Sequence, residues 1–69
     1  MNNALIFFAY VNKAEISLRD QQFQLTIRLI NIAQDKHLKK FPIDSSVYIK
    51  GSDMIMNIKT KITQIVNIK

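Results

Sequence analysis

The chain has no cysteine and no tryptophan. Among its 69 residues it has only one glycine, one proline, one histidine and one glutamate. Without cysteine there is no disulfide framework and no thiolate metal site, so so short a domain depends on packing or self-association. One glycine excludes a glycine-rich phosphate loop. One histidine among dispersed acids gives neither an ordered nucleophile–base pair nor a cluster of metal ligands. No catalytic residue, cofactor or metal is expected, and the chain reads as non-enzymatic. Long apolar runs are also missing. The longest, "ALIFFAYV" at residues 4–11, is too short to span a bilayer. No Lys or Arg precedes it and no small-residue cleavage pattern follows, which predicts a mature cytoplasmic chain without a membrane partner.

What is present is 48% hydrophobic residues and a net charge of +5, unevenly placed. Residues 1–35 balance Lys13, Arg19 and Arg28 against Glu15, Asp20 and Asp35. Residues 36–69 set seven lysines against Asp44 and Asp53 and so carry the whole excess. A basic half on a small domain suggests an anionic partner, nucleic acid first, or serves solubility alone. The length allows one domain, residues 1–69, with a marginal core.

Hydropathy alternates mostly with period two. "FQLTIRLIN" puts Phe23, Leu25, Ile27 and Leu29 on one face and Gln24, Thr26 and Arg28 on the other, the pattern of a half-buried strand. "KTKITQIVNIK" is rich in β-branched residues and reads as a closing strand, and "VYIK" as a short one. "ALIFFAYVNKAEIS" is apolar on both parities up to Val11, which predicts a long first strand buried on both faces and bent near Asn12–Lys13. Turns fall at 17–21, 33–36, 42–46 and 51–57. Residues 35–41 read either as a helical turn capped by Asp35 or as a third strand, and Pro42 stops both. The expected fold is all-β, with at most one short helical turn: a small five-element OB-like β-barrel. An α/β alternative needs an amphipathic helix over 16–33, where helical spacing is diluted by polar residues.

Four segments carry a family resemblance. "HLKKFPIDSSVYIKG" sets Ser46, Val47, Tyr48, Ile49 and Gly51 in order. "MNNALIFFAYVNKAEI" looks like an opening strand with a corner at Lys13–Ile16, "QFQLTIRLIN" like a second strand, and "TKITQIVNIK" like a closing one. Together they resemble the single-stranded-DNA-binding (SSB) and primosomal-replication-protein family of OB-folds. The family's glycine after the first apolar stretch is replaced by Phe8 or Ala9, and its base-stacking tryptophans have no counterpart. The resemblance implies a shortened OB-like module for single-stranded nucleic acid, acting in replication or on a mobile element. In such a barrel Gly51 would turn a corner, as a residue without Cβ crowding or with positive φ.

OB-folds bind single strands with a basic groove and exposed aromatics. Lys36, His37, Lys39 and Lys40 form the densest positive cluster and Phe41 flanks it. Tyr48 is expected to point outward beside Lys50, and Arg28 lies on the polar face of the second strand. These eight residues are the expected nucleic-acid site. Phe7, Phe8 and Phe23 are expected in the core. The expected partners are single-stranded DNA or RNA and further copies of the chain, as a dimer or higher homo-oligomer. Two readings stand beside this one: a protein–protein adaptor or inhibitor using a barrel surface or strand edge, and a structural subunit completed by its apolar N-terminal segment.

Overall fold

The computed structural model describes residues 3–67, and every regular element among them is helical. Helix α1 spans Asn3–Arg19, α2 spans Phe23–Ile32 and α3 spans Ser46–Asn67. A π-helical turn at Ala33–His37 and a 3-10 turn at Leu38–Lys40 prolong α2. No strand occurs among the described residues, so the all-β expectation and the five-element OB-like barrel are overturned. Residues 1–2 and 68–69, which belong to the segments quoted for the OB resemblance, lie outside the described residues.

Each misread segment has a physical reason. In α1 the apolar residues on both parities surround a helix: Phe7, Val11, Ala14 and Ser17 are buried at spacings of four, three and three. A short continuous apolar run cannot be assigned to helix or strand by period. In α2 the alternation was carried by Leu25 and Ile27, which are 40% and 45% exposed. The residues buried are Thr26, Ile30 and Ala33, at spacings of four and three. In α3 Gly51, Ile55, Ile58 and Ile62 make the inner face. Burial of those isoleucines outweighs the weak β-preference of their neighbours, since tertiary packing overrides intrinsic propensity.

The termini of the helices are chemically marked. Gln21, at φ 62°, ends α1: its N–H donates to the Leu18 carbonyl at 3.0 Å and the Gln22 N–H to the Ser17 carbonyl at 2.9 Å. That pair of bonds is a Schellman motif with glutamine where glycine is usual. Phe41 is extended before Pro42, as a residue preceding proline must be. Ser45 caps α3. Its Oγ accepts the Tyr48 N–H at 3.2 Å and donates to the Pro42 carbonyl at 2.7 Å. "SSVYIKG" is therefore a capped helix start, not a strand.

Gly51 lies in the interior of α3 without positive φ, so the corner assigned to it is also corrected. A Cβ built there would stand 2.5 Å from Phe7 Cε2, 2.6 Å from Phe7 Cζ and 3.1 Å from Leu38 Cδ1. The one glycine of the chain marks where α3 approaches α1 too closely for any side chain. Around it the core gathers Phe7, Val11, Ala14, Ile30, Ala33, Leu38, Ile55, Ile58 and Ile62. The outline is elongate, 40 × 21 × 15 Å.

Candidate functional site

The basic cluster sits on the irregular stretch after α2. With regular α-helical spacing Leu38 would turn about 140° away from Ala33, five residues earlier. The π turn widens the helix, with the Leu38 N–H donating to the Ala33 carbonyl, and both side chains reach the core. Lys36 on this turn, and Lys39 and Lys40 on the 3-10 turn that follows, are exposed. None of the three is drawn into an ion pair among the described residues. Single π turns within helices are frequent at functional sites.

The eight expected site residues separate into three groups. Lys36, Lys39 and Lys40 stand together, and Arg28 joins them at one edge, lining a shallow hollow with Lys36, Ile27, Asn31 and the acidic Asp35. Lys50 is exposed on α3. Phe41, Tyr48 and His37 are half-buried. Phe41 meets the Phe7 ring edge-on at 6.3 Å, and Tyr48 packs against the core. His37 stacks on Tyr10 at 5.2 Å and 24°, with its Nδ1 buried and unbonded. Phe41 and Tyr48 are thus each partly covered by the core, while the lysines of the expected site are exposed.

Three features escape a reading of the sequence. The Gly51–Phe7 approach is one and the Tyr10–His37 stack another. The third is a buried hydroxyl pair between α1 and α2, in which Ser17 Oγ and Thr26 Oγ1 lie 2.6 Å apart. Ser17 also reaches the Ala14 carbonyl at 2.9 Å and Thr26 the Gln22 carbonyl at 2.9 Å, so two protons serve three contacts. Only the scarcity of glycine pointed to one of these, and it gave no hint of the partner. Among the described residues no group of three or more His, Asp or Glu side chains could hold a metal ion. No helix among them is long and apolar enough to cross a membrane.

The arrangement defines a small all-α protein of three helices. No family model, no curated protein and no solved structure matches the chain. The segmental similarity to the OB family finds no support in these comparisons.

Proposed function

We propose that the protein is a non-catalytic, cytoplasmic binding module whose basic surface takes nucleic acid through its phosphates. The observation that carries the reading is the exposed triplet Lys36, Lys39 and Lys40 on a chain whose whole charge excess lies from residue 36 onward. Arg28 and Lys50 are further contacts in this reading. Contacts of this kind release counterions and read no bases. With Tyr48 and Phe41 half-buried, little preference between single strands and duplexes is expected.

Fluorescence-anisotropy titrations of labelled single-stranded and duplex oligonucleotides at two salt concentrations test it. Replacing Lys36, Lys39 and Lys40 with Ala should weaken binding and lower the salt slope by up to about 2 on a single strand. Wild-type protein that binds neither oligonucleotide at low salt ends the reading. A protein adaptor is the second reading, favoured by exposed apolar residues such as Ile16, Leu25 and Ile27.

A further inference from the structure

Exposed large apolar residues lie in both halves of the chain, and those of the charge-neutral half include Leu5, Ile16, Leu25 and Ile27. Leu5, Ala9, Asn12 and Ile16 are exposed on the outer side of α1 at spacings of four, three and four. Such spacing keeps them on one stripe. Ile16 also lines a groove between α1 and α2 with Leu25 and Leu29, and the groove is flanked by Lys13 and Asp20. The chain exposes 5101 Å², whereas a monomer of 8.0 kDa is expected to expose about 4,450 Å². The surplus of about 650 Å² approaches the roughly 800 Å² that each partner buries in a standard interface. Part of it comes with the elongate outline.

The flanking charges say what covers the groove. Lys13 and Asp20 stand seven residues apart, about 10.5 Å along the helix axis, too far to pair with each other. They lie on either side of Ile16, three residues before it and four after. A two-fold axis beside Ile16 sets two α1 helices antiparallel, with Lys13 of each copy against Asp20 of the other. The same axis lays Ile16 of each copy toward the other's Leu25 and Leu29. A surface that complements itself under a two-fold rotation is what an isologous dimer requires. The basic residues from Lys36 onward would repel a second copy. Residues 1–35, with no net charge, do not.

We infer that the chain forms a two-fold homodimer through the α1–α2 groove, centred on Ile16 and registered by Lys13–Asp20 pairs between copies. Sedimentation of the full chain from about 1 to 100 µM tests it. Wild-type protein should run at twice the monomer mass. Ile16→Glu should run as a monomer with its helical circular dichroism retained, because Ile16 is exposed in the single chain. Lys13→Glu alone and Asp20→Lys alone each set like charges against each other and should weaken dimerisation about tenfold or more. The double swap Lys13→Glu/Asp20→Lys restores opposite charges and should return the affinity to within about threefold of wild type. Monomeric wild type at the highest concentration overturns the inference, and so does a dimer indifferent to Ile16→Glu or a double swap no better than the single changes. None of these residues belongs to the proposed nucleic-acid surface, so oligonucleotide binding measured on the same variants separates failure here from failure there.

Discussion

Helix α1 is joined to its two neighbours by different means. Against α2 it is tied by a short Schellman turn and by the Ser17–Thr26 hydroxyl pair, which fixes register with directional bonds. Against α3 the described contact is one of shape, with Gly51 over Phe7 and three isoleucines following on one face. A hydrogen-bonded joint tolerates loss of one partner if the other keeps a bond, because only an unsatisfied buried group is costly. A shape-based joint is sensitive to single atoms, because interiors are close-packed. The substitutions that follow should therefore act more strongly at the α3 joint than at the α2 joint.

The largest effect is expected at Phe7, which is fully buried between Gly51, Leu38, Phe8 and Phe41. Phe7→Ala should cost about 3–5 kcal/mol and leave so small a domain largely unfolded, as thermal melting by circular dichroism would show. The hydroxyl pair should answer more gently. Ser17→Ala and Thr26→Val should each cost about 1 kcal/mol in urea titrations, and the double substitution should cost no more than the larger single change. An additive double would mean that each hydroxyl is anchored by its own helix rather than by the other. At the α1–α2 turn, Gln21→Gly should stabilise by about 1 kcal/mol, since glycine takes the left-handed conformation without Cβ strain. The smallest effect belongs to the basic surface: the Lys36, Lys39 and Lys40 triple alanine variant should melt within about 0.5 kcal/mol of wild type.

The same two joints explain what could be read in advance. The breaks at 17–21 and 42–46 were legible because they carry local chemistry: Asp20 and Gln21 end α1, and Pro42 with Ser45 starts α3. The exposure of Lys36, Lys39 and Lys40 was legible from charge alone. The helices were not. Leu25 and Ile27 mimic a buried strand face by alternating with polar residues, yet both point to solvent. The β-branched run from Thr60 to Val66 mimics a strand because only Ile62 among its members is buried. Helical burial at 51, 55, 58 and 62 competes with that local preference and wins through contacts with residues far away in sequence. The close approach of Gly51 to Phe7 spans 44 positions, and no local pattern announces it.

The account turns on that approach, and Gly51→Ala tests it by sign. At an open site within a helix the substitution should stabilise by about 1 kcal/mol, through helix propensity. At 2.5 Å from a ring held by its neighbours it should instead destabilise, by about 1–2 kcal/mol net, as overpacking outweighs propensity. Chemical denaturation of Gly51→Ala, Phe7→Leu and the double variant completes the measurement. A smaller side chain at position 7 makes room for the new methyl group, so the double should be at least about 1 kcal/mol more stable than the sum of the single losses predicts. A stabilised Gly51→Ala, or strictly additive losses, would contradict the seating of α3 on Phe7.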